Sequence, residues 1–169
     1  MDSQDNKVEL LKPIKRKWKV QTTKPNKCIM VAYIDARDVA DRLDEVFGFD
    51  GWSDMYSEPQ QITTTEFGKS KTKTYVKCTL TIHGEKRDIH KEDVGSESAT
   101  ESVKGAYSDA FKRAGVKLGI GRGLYSMPTI MINETKEYNN KLHPSKAGKI
   151  LWGDSLSQEC ERLLKMKQG

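Results

Sequence analysis

Between Ser108 and Tyr125 the sequence reads Ser-Asp-Ala-Phe-Lys-Arg-Ala-Gly-Val-Lys-Leu-Gly-Ile-Gly-Arg-Gly-Leu-Tyr. Lys112, Arg113 and Lys117 recur here among small and apolar residues, and Arg122 follows inside a glycine-rich stretch. Fixed cations on a helix perform no covalent chemistry; they neutralise phosphates and release counterions. A guanidinium can fork onto two phosphate oxygens, whereas an ammonium acts as a mobile point charge. The residues therefore point to the binding of a polyanion, and no set of side chains spaced for catalysis competes with that reading.

The element that must position these cations is an amphipathic helix. Val103, Tyr107, Ala110, Phe111, Ala114 and Leu118 form one stripe at about 100° per residue, with Lys112 and Arg113 well away from it. Lys104 and Lys117 flank the stripe on opposite sides. Gly95-Ser-Glu-Ser-Ala-Thr-Glu101 offers several capping residues at the start. The Gly119-x-Gly-x-Gly123 run stands at the helix end, where the dipole has the wrong sign for phosphate. It is read as a helix stop.

A helix is also predicted over 35–47, with Asp35 as N-cap, Ala36, Val39, Ala40, Leu43, Val46 and Phe47 on one face, and Gly48 as stop. Its polar face carries Arg37, which is either a free cation or the i,i+4 partner of Asp41. Strands are expected near 52–58 and 60–67. The clearest spans 75–82, where Val76, Cys78, Leu80 and Ile82 alternate with Tyr75, Lys77, Thr79 and Thr81. A further strand is expected over 87–94. Closely connected sequential strands predict an antiparallel meander. The stretch from Phe67 to Lys73 reads as a basic hairpin tip carrying Lys69, Lys71 and Lys73, either a second strand contact or a soluble loop. Beyond residue 126 an extended run over 127–132, a polar loop over 134–149 and a short helix over 155–166 are expected.

The 169 residues carry 36% hydrophobic and 31% charged side chains and a net charge of +5. One main domain is expected, and the basic balance permits nucleic-acid binding without proving it. The low apolar content implies either that part of the chain is loose or that the fold is completed by neighbouring subunits. Cys28, Cys78 and Cys160 have no metal or disulfide spacing and are read as reduced thiols, which places the chain in a cytoplasm-like compartment. No stretch has the length and apolarity of a membrane span. No cofactor is expected, and the chain contains no nucleotide-binding G-x-x-x-x-G-K-[ST] motif. Asp88, Glu92, Asp93, Glu97 and Glu101 could gather a divalent ion in a nuclease, but capping and solvated roles explain them better. His83, His90 and Cys78 are read as ordinary residues. Trp18, Tyr33 and Trp52 have the chemistry to stack bases, with packing the expected role.

Three blocks together resemble the Rad52 family of single-strand annealing proteins, above all its short phage and bacterial members. They are Tyr33-Ile-Asp-Ala-Arg-Asp-Val39 with Phe47-Gly-Phe-Asp-Gly-Trp52, Lys91-Glu-Asp-Val-Gly95, and Ser108-Asp-Ala-Phe-Lys-Arg-Ala114. The resemblance covers roughly 18–126. It implies an α+β fold in which a helix precedes an antiparallel meander of three to four strands and a long helix, a βββα-type core. It further implies homo-oligomers, as rings or filaments, with single-stranded DNA in a basic groove. By motif position the DNA contacts fall on Arg37, Lys112 and Arg113, with Lys104 at a further basic position. Phe49 stands where relatives often carry tyrosine, and Val116 replaces a family arginine. The sequence-level organisation is then a flexible basic arm over 1–17, an annealing core over 18–126, and a partly disordered extension over 127–169. The expected activity is ATP-independent binding and annealing of single-stranded DNA in recombination and repair, without catalysis. A single-strand-binding protein or an exonuclease is the expected protein partner; the alternative function is a mediator that loads a recombinase or binds a single-strand-binding protein. Leu156, Leu163 and Leu164 are its candidate docking face.

Overall fold

In the computed structural model, residues 3–97 and 103–168 are described. In chain order the elements are α1 (Ser3–Leu11), β1 (Lys17–Lys24), β2 (Lys27–Tyr33), α2 (Ala36–Phe47), β3 (Trp52–Tyr56), β4 (Gln60–Glu66), β5 (Lys69–Ile82), β6 (Ile89–Ser96), α3 (Val103–Leu118), a 3₁₀ turn (Arg122–Ser126), β7 (Ile130–Ile132), β8 (Thr135–Tyr138), β9 (Lys141–Lys146), β10 (Lys149–Ile150) and α4 (Gly153–Gln168). All strand pairings are antiparallel. The fold is α+β, as expected. The chain forms two compact units, residues 1–14 with 35–122, and residues 15–34 with 123–169. This partition differs from the expected boundaries after residues 17 and 126, because the segment over 15–34 pairs with strands far along the chain.

The first unit holds the expected meander. β5 is the central strand, pairing β3 and then β4 along one edge and β6 along the other. Pro59, which lacks an N–H for the ladder, separates β3 from β4. Val76, Cys78 and Leu80 on β5 are fully buried, and α3 packs across β5 and β6. Tyr56 and Trp52 on β3 meet Tyr107 and Phe111 of α3, with ring centroids 5.0 and 5.8 Å apart. Gly95 on β6 lies so close to α3 that a Cβ there would sit 2.2 Å from the Ala110 backbone nitrogen. Gly115 of α3 likewise leaves room for Val39 of α2, whose Cγ1 would be 2.8 Å from an added Cβ. Asp35 caps α2, accepting from the N–H groups of Arg37 and Asp38, and Asp38 completes a capping box.

The stripe predicted for α3 is buried at Ala110, Phe111 and Ala114, joined by Ala106 and Gly115. Val103 is 41% exposed instead. Of the expected N-terminal capping residues, 98–101 lie outside the described residues, as does the Glu101 of the acidic set. Within the segment expected to be a flexible arm over 1–17, Ser3–Leu11 form α1, which packs on α2. Arg42 of α2 donates to the carbonyls of Glu9 (2.8 Å) and Lys12 (2.9 Å).

The second unit was not foreseen as such. β1 and β2 form a hairpin closed by Pro25-Asn26, with Asn26 at φ 54°, and β2 pairs with β7. The segment over 134–149, expected to be a loop, is a β8–β9–β10 ladder. Its turns are Asn139-Asn140 (φ 50° and 58°) and Ala147-Gly148 (φ 49° and 72°), the positive-φ pairs that close two-residue hairpins. α4 is longer than the helix expected over 155–166. Its Leu156, Leu163 and Leu164 pack with Trp18, Cys28, Met30, Ile130, Ile132, Leu151 and Cys160 in one cluster. Leu164 is thus a core residue and Leu156 and Leu163 are half-buried against the cluster, so these leucines face the unit's own core and not a partner.

Two carboxylates of α4 tie this unit together. Glu161 accepts from Arg16 Nε at 2.7 Å and Trp18 Nε1 at 2.9 Å. Glu159 accepts from Arg162 at 2.6 Å and Lys146 at 2.7 Å. The Arg162 hydrogen bond above all, with Lys146, outweighs desolvation and holds the Glu159 carboxyl down at about 2. Among the described residues no helix is long and apolar enough to cross a membrane.

Candidate nucleic-acid interface

All the residues predicted to contact DNA lie in the first unit. α3 presents Lys104, Arg113 and Lys117 to solvent, with Lys112 half-buried. The opposite face of the same helix is fixed to the sheet, so these cations stand on a rigid support. Arg37 is exposed near the start of α2. It lies two residues before Val39, the side chain that meets Gly115 of α3. Lys112 is one helical turn before Gly115, whereas the two-residue spacing from Val39 turns Arg37 to another face of α2, so this contact does not bring the two cations together. No ion pair joins Arg37 to Asp41 among the described residues.

Arg113 and Lys117 share an acidic partner. Asp93 of β6 accepts from Arg113 Nε at 3.2 Å and lies 3.3 Å from Lys117 Nζ. Lys117 also donates to the Glu92 carbonyl. Partial burial opposes ionisation of Asp93, but the Val94 N–H together with Arg113 and Lys117 outweighs it and holds the carboxyl below its ordinary value. The sequence reading placed Asp93 among acids that could hold a metal. Strand alternation instead turns Asp93 toward α3 and Glu92 to the other face, where it binds Thr79 (2.7 Å) and Lys77 (3.1 Å). Among the described residues no group of three His, Cys, Asp or Glu side chains is placed to hold a metal ion.

Arg122 bends back over the end of α3, donating to the carbonyls of Val116 (3.1 Å) and Lys117 (3.2 Å). It therefore serves as a C-terminal cap, a role absent from the sequence reading. The helix ends where expected, with Gly119 at φ 117° and Gly121 at φ 65°.

Lys69, Lys71 and Lys73 are not a loop tip. The turn is Phe67-Gly68 alone, with φ 50° and 75°, and all three lysines belong to β5. Alternation sends them to the sheet face opposite Val76, Cys78 and Leu80, hence away from α3. The structure does not bring them together with the α3 cations. Trp18 and Trp52 pack, as expected. Trp18 is buried, Trp52 donates to Asp44 at 2.8 Å, and Tyr33 lies under Lys19 Nζ, 5.3 Å from the ring centroid.

The description "Rad52/22 family double-strand break repair protein" matches residues 4–143. The chain belongs to this family. Similar proteins include the single-stranded DNA-binding protein DdrA of Deinococcus deserti, 39% identical over 66% of this chain and 50% of the relative. The DdrA of Deinococcus radiodurans is 38% identical over 60% of this chain and 43% of the relative. The chain thus spans about half the length of the curated relatives it matches. The family match runs past α3 through β8 and into β9, further than the 18–126 covered by the motif resemblance.

Proposed function

We propose that this chain binds single-stranded DNA without sequence preference and anneals complementary strands in recombination and double-strand break repair. The observation that supports the reading is the set of α3 cations, Lys104, Lys112, Arg113 and Lys117, spread around the solvent side of a helix whose other face is locked to a sheet. Rigid cations facing phosphates confer affinity without touching base edges. Bases left free can search for complements, and the step needs neither ATP nor a catalytic group. The names of the Deinococcus relatives support the ligand. Arg37 on α2 adds a further exposed cation in the same unit, and Lys69, Lys71 and Lys73 provide a separate basic strip. Repetition of one modest site around a homo-oligomeric ring or filament raises the affinity through effective concentration. The compartment that fits is a bacterial cytoplasm, where the three thiols stay reduced. A single-strand-binding protein or an exonuclease is the partner that would deliver the substrate.

The test is annealing of two labelled complementary oligonucleotides in EDTA without nucleotide, comparing wild type, Lys112→Ala and Lys112→Ala/Arg113→Ala. Fast annealing by wild type that falls stepwise in the variants supports both function and site. Annealing that survives both substitutions moves the site off α3. No acceleration by wild type rejects the annealing reading.

A further inference from the structure

The positive charge of the chain is not where the α3 site is. The second unit carries thirteen Lys and Arg against five Asp and Glu, a net +8, while the first carries sixteen against nineteen, a net −3. Within the second unit, one face of the β8–β9 hairpin gathers a group of rings that no part of the α3 site uses. Tyr138 pairs with Lys141 and Lys136 with His143, so all four side chains share a face. Trp152, just before α4, completes the group. The His143 and Trp152 ring centroids are 4.5 Å apart, and Tyr138 lies 6.3 Å from each. Large rings in a polar hairpin are ordinarily buried, yet Tyr138 is 55% and Trp152 53% exposed.

The rings are also held in place. Ser155 Oγ accepts from the Trp152 N–H at 3.0 Å and donates to its carbonyl at 2.8 Å. The two-residue Asn139-Asn140 turn fixes the hairpin register. Lys136 Nζ donates to the Gly148 carbonyl at 2.9 Å, which steadies the side chain on this face. Lys141 stands at the other end.

We propose that Tyr138, His143 and Trp152 form a base-stacking platform for single-stranded DNA, with Lys136 and Lys141 bracketing the phosphates. Half-exposed rings between ammonium groups match an unpaired strand, which offers apolar base faces joined by anions. A duplex hides its base faces and has nothing to stack. The +8 surround supplies the long-range attraction that brings the strand in. This site has no residue in common with the α3 cations and shares with the proposed function only its ligand class.

The test measures binding of a short fluorescein-labelled oligo-dT and of an abasic oligomer of equal length. The proteins are wild type, Tyr138→Ala/Trp152→Ala, Trp152→Phe, and Lys112→Ala/Arg113→Ala. Both platform side chains are half-exposed, so their removal leaves the core intact, as circular dichroism would verify. The expected result is a loss of about tenfold or more in oligo-dT affinity for the platform double variant. Trp152→Phe should retain most of the affinity, and the abasic oligomer should not distinguish the platform variants from wild type. Oligo-dT affinity unchanged in the platform variant, with wild type binding normally, overturns the platform and leaves the rings as a protein-facing patch. An equal loss for both oligomers overturns stacking as the cause. Wild type that binds neither oligomer rejects the proposed function as well, which separates the two failures.

Discussion

Among the described residues Asp93 is set directly against Arg113 and Lys117, and its charge has two opposed effects. It orients Arg113 and Lys117 by ion pairs at 3.2 and 3.3 Å, and it repels any phosphate that approaches them. Exposed ion pairs contribute about 0–1 kcal/mol, so the orienting effect is small. The repulsion acts on every phosphate in reach. Asp93→Asn is therefore expected to raise single-stranded DNA affinity about two- to fivefold at low salt, with the gain shrinking as salt screens it. Fluorescence anisotropy across a salt series would check this. A fall in affinity at all salt concentrations would mean that orientation outweighs repulsion. The role of Asp93 was not legible from the sequence, because the reading that grouped it with Glu92 ignored the strand alternation that sends the two to opposite faces. Lys112, Arg113 and Lys104 were legible, because helical periodicity alone separates them from the buried stripe.

Elements whose pattern is set locally were read well, and those held by distant partners were not. α2 carries its own cap and stop, and β5 alternates strictly from Val76 to Ile82, so each announces itself. β1 shows a single buried residue, Trp18. Its position depends on β2 and on a tail segment about a hundred residues away, a relation that no local window contains. The β8–β10 ladder looked like a loop because its strands are short and exposed, and the Asn139-Asn140 dipeptide was the available hairpin signal. Contact between elements gives a further prediction. Gly95→Ala would drive a Cβ to 2.2 Å from the Ala110 nitrogen and 2.3 Å from the Ala106 carbonyl oxygen. Both are backbone atoms of α3 and cannot rotate away. Overpacking of this kind costs about 1–3 kcal/mol, and it lifts the helix that carries the cations. The urea midpoint should fall, and DNA affinity with it; an unchanged midpoint would contradict the close packing of α3 on β6. In α4, Glu159 has a folded pKa of about 2 against an ordinary 4.5. A depressed carboxyl contributes stability that is present above its unfolded value and is lost as pH falls through the folded one. Wild type should thus lose stability between about pH 4.5 and 2. Glu159→Gln should be about 1–3 kcal/mol less stable at neutral pH, with a flatter acid limb in chemical denaturation. An equally steep limb in the variant would assign the acid sensitivity to other carboxylates.

At the scale of the whole molecule, the three thiols report on the two units separately. Cys78 lies on β5 in the first unit, and Cys28 and Cys160 lie in the second. All three are free and fully buried. Burial above all pushes the Cys78 and Cys160 thiols up to about 12, and Cys28 is raised by the same cause. A thiol reagent attacks the thiolate, so the fold suppresses reaction twice, by excluding the reagent and by keeping the proton on sulfur. The native protein should therefore show no thiol reacting with a disulfide reagent on the timescale in which the unfolded chain reacts completely. In rising urea, labelling tracks the population of opened molecules when reclosing is fast. Cys28 on β2 and Cys160 on α4 share one hydrophobic cluster, so exposing one requires opening the packing of the other. Peptide mapping of the labelled chain should show Cys28 and Cys160 modified together at every urea concentration. Cys78 should follow its own profile if the first unit opens independently, and the same profile if the units unfold cooperatively. Labelling of Cys28 without Cys160 would show that the β1–β2 hairpin detaches from α4 while the remainder holds. That result would overturn the view that the Trp18–Glu161 and Arg16–Glu161 contacts join hairpin and helix into one cooperative body.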